Sequence, residues 1–182
     1  MIFVETSFDG LYVVKPKVHE DERGYFMESF KSILFEEKFP TINFIQENES
    51  SSSRGVLRGL HFQLPPYEQT KLVRVIKGEV LDVVVDLRKN SQSFGKHYKI
   101  KLSEMNKKML LVPKGFAHGF LVLSESAIFS YKVDNYYAPE YDCGIVYNDK
   151  DLNIDWGNNH NDIKLSKKDR NLQKFNNFIS PF

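Results

Sequence analysis

The sequence holds a single cysteine, Cys143, in 182 residues. A disulfide framework and a multi-cysteine zinc site each need more than one thiol, so both are excluded. No run approaches the ~20 consecutive apolar residues that span a bilayer. The stretch MIFVETSFDGLYVV has no basic segment followed by an apolar one, so it does not read as a signal peptide. Neither charge is in excess. The 25 basic side chains stand against 24 acidic ones, for a net charge of +1, which is not the profile of a chain bound along a nucleic-acid backbone. A hydrophobic fraction of 41% excludes a wholly disordered chain. The expectation is a soluble, cytoplasmic protein of one domain, with no nucleic acid and no membrane among its partners.

Several catalytic signatures are also missing. There is no GxxxxGK[ST], no GxGxxG at a strand-to-helix turn, no GxSxG and no HExxH, so common nucleotide hydrolases, dinucleotide dehydrogenases, serine hydrolases and zinc proteases lack support. No period of 20–50 residues marks a repeat array. The one low-complexity patch, Ser50 to Ser53, reads by itself as a flexible loop.

What the chain has in quantity is strand pattern and aromatic rings, with 15 Phe and 9 Tyr. KLVRVIKGEVLDVVVDLR reads as a hairpin turning at Lys77-Gly78. Its second half alternates Leu81, Val83, Val85 and Leu87 against Asp82 and Asp86. MLLVPKGFAHGFLVLS repeats the idea around Pro113-Lys114-Gly115. AIFSYKVDNYY alternates Phe129, Tyr131 and Val133 with Ser130, Lys132 and Asp134. Helical pattern is confined to ESFKSILFEEKF, where Phe30 and Leu34 are spaced i,i+4, and to a short turn in LSKKDRNLQKF. Short strands between Gly, Pro and Asn turns indicate an all-β sandwich or barrel.

Two histidines sit in dense local contexts, His61 in RGLHFQ and His118 in VPKGFAHGF. Pro113, Gly115 and His118 form a PxGxxH pattern that resembles the second metal motif of cupin barrels. Such a site also wants HxH in its first motif, and here His61-Phe62-Gln63 supplies only one imidazole, so a cupin-type barrel is expected without a bound metal. His19, His97 and His160 read as structural or surface imidazoles. Strict alternation puts Arg58 and His61 on opposite faces of one strand, so a shared site requires a bulge or the strand's end to re-aim one of them. Tyr131 reads either as a core tyrosine or as a phenol facing a cavity. Asp169, among Lys167, Lys168 and Arg170, reads as a solvated charge.

Taken in order, DERGYFMESF, IQENESSSSRGVLRGLHFQ, QTKLVRVIKGEVLDVVVDLR, VPKGFAHGFLVLS, SYKVDNYYAPE, YNDKDLNIDW and LSKKD closely resemble the dTDP-4-dehydrorhamnose 3,5-epimerase family, from about Glu5 to Asp169. The resemblance implies an all-β, cupin-type jelly-roll barrel of antiparallel strands with a few short peripheral helices. It forms one sugar-nucleotide epimerase domain over residues 1–182, with no metal and no cofactor. It implies a homodimer whose N-terminal segments are exchanged, and it turns Ser50–Ser53 from a loop into the approach to a strand. The implied substrate is a dTDP-linked 4-keto-6-deoxy sugar, epimerised at C3 and C5 from dTDP-4-dehydro-6-deoxy-D-glucose to dTDP-4-dehydro-L-rhamnose.

By motif, His61 would be the general base and Tyr131 the general acid. Asp169 would fix the His61 tautomer and Lys71 would stabilise an enolate. Arg23, Glu28, Gln46, Asn48, Arg58, His118 and Lys168 would contact substrate, with Tyr136 and Phe26 at the thymine ring. Asp142 stands where the family usually has glutamate, a carboxylate shortened by one methylene. The alternatives are a relative that epimerises one carbon of another nucleotide-linked 4-keto sugar, a metal-dependent cupin oxygenase, and a non-catalytic sugar-binding cupin. The last two do not account for a base, an acid and an enolate-stabilising lysine in one chain.

Overall fold

The computed structural model describes residues 1–157 and 163–182. The chain runs β1 (Ile2–Glu5), β2 (Tyr12–Lys15), β3 (Val18–Asp21), β4 (Gly24–Met27), α1 (Ser32–Lys38), β5 (Gln46–Ser53), β6 (Leu57–Gln63), β7 (Lys71–Lys77), β8 (Glu79–Asp86), β9 (His97–Ser103), β10 (Met109–Val112), β11 (Phe116–Val122), β12 (Ser126–Val133), β13 (Asp142–Gly144) and α2 (Lys167–Arg170). Two antiparallel sheets face each other, one in the order β1-β2-β10-β7-β12-β5 and the other β13-β6-β11-β8-β9; β3 and β4 form a separate two-stranded arm. From β5 to β8, and again from β9 to β13, successive strands alternate between the sheets. This is a jelly roll, matching the expected fold class.

The alternation overturns the two expected hairpins. β7 pairs with β10 and β12, while β8 pairs with β11 and β9, so Lys77-Gly78 is a corner between sheets. Gly78 takes φ +82°, and a Cβ there would lie 2.1 Å from the Ser126 carbonyl oxygen. The corner is therefore glycine for both conformation and space. Pro113-Lys114-Gly115 makes the same passage between β10 and β11. Period 2 announces a strand but does not name its partner. The serine run is not a loop: Ser50–Ser53 ends β5, an edge strand paired with β12 along its whole length.

Both faces of each large sheet carry apolar packing. Val73, Val84, Leu110, Phe120 and Phe129 lie among the residues that fill the space between the sheets. Val83, Val85, Phe62 and Trp156 sit on the outer face of the five-stranded sheet, with Phe178 and Phe182 packed against them. On the outer face of the six-stranded sheet, α1 lays Phe35 against Phe3, Phe30 and Phe44, with ring centroids 5.1–5.7 Å apart. The helix begins at Ser32, so Phe30 precedes it, and Phe35 rather than Leu34 is its buried residue. Removing such a ring typically costs about 3–5 kcal/mol. Three aromatic layers thus account for most of the phenylalanine content.

Because β8 is covered on both faces, its polar residues are not a solvent face. Asp82 and Asp86 are both wholly buried. Asp86 is held by Arg88, Ser91 and Ser93. Among the described residues no helix is long and apolar enough to cross a membrane.

Candidate active site

A cavity of about 820 Å³ lies between the sheets, walled by β5, β6, β7, β11 and β12, with the 163–170 segment at its edge. Its position depends on one irregularity in β6. Arg58 pairs with Phe120 and His61 with His118, so three steps on β6 match two on β11. Of the two ways to re-aim one residue, a bulge or the strand's end, the extra residue makes it the bulge, and it turns Arg58, His61 and Gln63 to the cavity while Leu60 and Phe62 enter the outer core. Gly59 sits at the bulge with φ +136°, and a Cβ there would approach the Gly119 Cα to 2.5 Å.

His61 is paired with the last helix of the chain. Its Nε2 lies 2.5 Å from Asp169 Oδ1. The carboxylate is 4% exposed against 30% for the imidazole, so the histidine is the open end of the pair. Asp169 also accepts a bond from Ser166 Oγ, and its own amide donates back to that oxygen as α2 starts. Burial pushes the Asp169 carboxyl up, but the His61 bond and charge, the Ser166 hydroxyl and Lys168 outweigh it, leaving it below its ordinary value. An ionised Asp169 accepts a hydrogen bond from the Nε2–H of His61, which leaves the other ring nitrogen with its lone pair. The reading of Asp169 as a solvated charge is thereby replaced. Its one local signal was Ser166 three residues ahead, the spacing of a helix cap.

Lys71 opens β7 half-buried, and its ammonium has no hydrogen bond or ion pair among the described residues. Desolvation lowers its pKa to about 8, against the pull of Asp142 and Asp82. Tyr131, on β12 opposite Asn48 of β5, has its phenol pushed up by burial; Asn48 and Arg58 pull it back and Asp142 adds to the rise. It therefore keeps its proton at neutral pH. Arg58 donates from Nε to Ser52 Oγ at 3.0 Å, which fixes the guanidinium and gives one serine of the run a function the sequence did not announce.

Of the expected site residues, His61, Tyr131, Lys71, Asp169, Gln46, Asn48, Arg58, His118, Asp142 and Lys168 all line this cavity. Gln46 donates to Asn48 Oδ1 at 2.9 Å. His118 is buried, with Nε2 at 2.9 and 3.1 Å from the two oxygens of Asp82. Asp142 receives the Lys168 ammonium and, at 2.7 Å, the Tyr137 hydroxyl on the same oxygen, so its short side chain is occupied within the protein.

Four residues are placed elsewhere. Arg23 and Phe26 lie on the β3–β4 arm, with Glu28 just beyond it; Phe26 is 68% exposed, Arg23 is bonded to Asp21 and Glu28 to Lys31. Tyr136 is not part of the cavity wall, whereas its neighbour Tyr137 is. Alternation alone could not choose between two adjacent tyrosines beyond the end of a strand. His19 stands on the arm and His97 on β9, both away from the cavity; His160 lies outside the described residues. Among the described residues no group of three or more His, Cys, Asp or Glu could hold a metal ion.

Comparison with known proteins adds to this geometry. Residues 5–177 match the model of a family described as dTDP-4-dehydrorhamnose 3,5-epimerase. The chain is 51% identical over 170 residues to the dTDP-4-dehydrorhamnose 3,5-epimerase of Methanothermobacter thermautotrophicus, covering 93% of this chain and 91% of that one. The crystal structure of the enzyme of that name from Elizabethkingia anophelis superposes with a TM-score of 0.93 at 49% identity, over 97% of each chain. The dTDP-6-deoxy-D-glucose-3,5-epimerase of Legionella pneumophila, solved in complex with dTDP-4-keto-L-rhamnose, superposes with a TM-score of 0.91 at 45% identity, over 96% of this chain and 93% of that one.

Proposed function

The chain belongs to the dTDP-4-dehydrorhamnose 3,5-epimerase family, and on that premise we propose how its cavity carries out the reaction. The enzyme is an isomerase that epimerises a dTDP-linked 4-keto-6-deoxy sugar, in the formation of dTDP-4-dehydro-L-rhamnose, and residues 1–182 act as one domain.

The C4 ketone acidifies the hydrogens at C3 and C5. The free ring nitrogen of His61 takes one of them as a proton, and the C–H electron pair moves onto the C4 oxygen as an enolate. Lys71 meets that oxyanion with a positive charge that, among the described residues, no carboxylate pairs with directly. As the enolate collapses to the ketone, the Tyr131 hydroxyl delivers a proton to the opposite face of the same carbon, inverting it. His61 then loses its proton and Tyr131 regains one, and the cycle repeats at the second carbon. Asp169 acts through His61 by holding its tautomer.

The observation that carries this reading is the convergence on one cavity of an accessible carboxylate-backed imidazole, a protonated phenol and an unpaired ammonium. Arg58 and Lys168 supply cations for the pyrophosphate. Tyr137, rather than Tyr136, supplies the ring for thymine. Arg23, Phe26 and Glu28 contribute through a homodimer, in which the arm of one protomer reaches the cavity of its partner.

Incubation with dTDP-4-keto-6-deoxyglucose in D₂O tests the reading. Deuterium is expected at both C3 and C5 of the product. Label at one carbon alone would make the enzyme a single-carbon epimerase. Tyr131→Phe should impair net inversion more than the first exchange.

A further inference from the structure

Gln63 follows His61 by two residues on the same face of β6 and lines the cavity, yet the chemistry above gives it no task. It is 4% exposed, and its amide is fully engaged. The Ala138 amide can only donate, and it reaches Gln63 Oε1 at 2.7 Å, which identifies the oxygen. The nitrogen then donates to two carbonyls, Tyr67 at 2.6 Å and Tyr136 at 3.1 Å. The two bonds on the far side thus fall on the residues immediately before and after Tyr137.

The loops that Gln63 joins are the one between β6 and β7 and the one that follows β12. Further ties run between them. Gln69 Nε2 donates to the Asn135 carbonyl at 2.8 Å, Asn135 Nδ2 to the Pro66 carbonyl at 3.1 Å, and the Thr70 amide to Asp134 Oδ1 at 2.7 Å. Gln63 is the most deeply buried of these side chains apart from Asp134, and the only one that brackets Tyr137. Tyr137 is 55% exposed, and among the described residues its side chain is hydrogen-bonded only at its hydroxyl, by Asp142. Its backbone must therefore be fixed from elsewhere if the ring is to stand ready at the cavity edge.

We propose that Gln63 is a positioning residue for nucleobase recognition, clamping the backbone on both sides of Tyr137 so that the ring is set before the nucleotide arrives. The inference rests on the reading that Tyr137 meets the base. A ring set in advance loses less freedom on binding, so the clamp acts on affinity for the base and leaves proton transfer alone.

The test measures binding of thymidine, dTDP and inorganic pyrophosphate by calorimetry, and turnover at saturating substrate. In Gln63→Met, thymidine and dTDP should each bind about tenfold more weakly, a loss of the size that follows one misplaced stacking ring. Pyrophosphate affinity should be unchanged and kcat should stay within about threefold. Gln63→Glu keeps the acceptor for Ala138 but has no hydrogen to donate while ionised. Its dTDP affinity, relative to Gln63→Met, should recover as the pH falls from about 7.5 to about 5.5, since burial brings carboxyl titration into that range.

Equal losses for thymidine and pyrophosphate, or a fall in kcat matching the fall in affinity, would overturn the proposal. So would wild-type thymidine binding in Gln63→Met alongside weakened binding in Tyr137→Ala. Wild-type binding in Tyr137→Ala itself would remove the premise and the inference with it. If Gln63→Met does not fold, Gln69→Met breaks an outer tie and should weaken thymidine binding by a smaller factor, with pyrophosphate again unaffected.

Discussion

Two histidine–aspartate pairs stand at the cavity with their imidazoles on neighbouring strands, and they differ in almost every respect except composition. His61 is 30% exposed and meets Asp169, which arrives from the far end of the chain on α2. His118 is 8% exposed and meets Asp82 on the adjoining strand, both oxygens turned to one nitrogen and neither open to solvent. The first pair has a carboxylate with further donors of its own in Ser166 Oγ. The second is closed in by Phe129, which stacks 6.0 Å from the His118 ring. An imidazole does chemistry on a substrate only if one nitrogen is both free and reachable. Residue type therefore does not separate the two; access does.

The widest separation between the pairs should come from removing each imidazole. His61→Ala takes away the base, and α-proton exchange in D₂O, followed by NMR, should fall by about 10²–10⁴-fold. His118→Ala leaves the base in place but strands a buried carboxylate, and its principal cost should be about 1–3 kcal/mol of stability by urea unfolding. Exchange persisting at the wild-type rate in His61→Ala would reverse the assignment.

The two carboxylates offer a milder comparison. Asp169→Asn removes the acceptor that fixes the His61 tautomer and should lower kcat by about 10²-fold or more without a matching change in KM. Asp82→Asn keeps shape and one acceptor, so kcat should stay within about tenfold.

The smallest effect links the buried pair to Lys71. With its pKa at about 8, the ammonium is charged below that pH and neutral above it, so kcat/KM should descend as pH rises through about 8. Lys71→Met should be slow and show no descent there. Since the Asp82 charge helps hold the lysine protonated, Asp82→Asn should move the descent to lower pH. An unmoved descent would mean that the buried pair does not act on Lys71.

The sequence showed some of this and hid the rest for identifiable reasons. The conflict between Arg58 and His61 was visible as a parity problem, and the bulge is its solution. The strands are visible too, but the corner at Gly78 reads as a hairpin because alternation carries no information about partners. Asp82 looked like half of an ordinary polar face, since nothing local reveals that both faces of β8 are covered. Asp169 lay 108 residues from His61, and no local pattern spans that distance. Tyr137, Gln63 and Ser52 owe their places to backbone ties between distant loops and strands. The resemblance supplied several roles that residue patterns alone left open.

The bulge at Gly59 also bears on how this strand can change. It works as a parity bit: upstream of it odd and even positions carry one meaning, and downstream the meanings are exchanged. Substitution at Leu60 or Phe62 is a local matter of fit. Straightening the strand at 59 with no residue removed would instead restore strict alternation along the chain, sending His61 and Gln63 towards the aromatic layer of Phe178 and Phe182 and turning Leu60 and Phe62 to the cavity. The register of this strand and the identity of its working face are one and the same property.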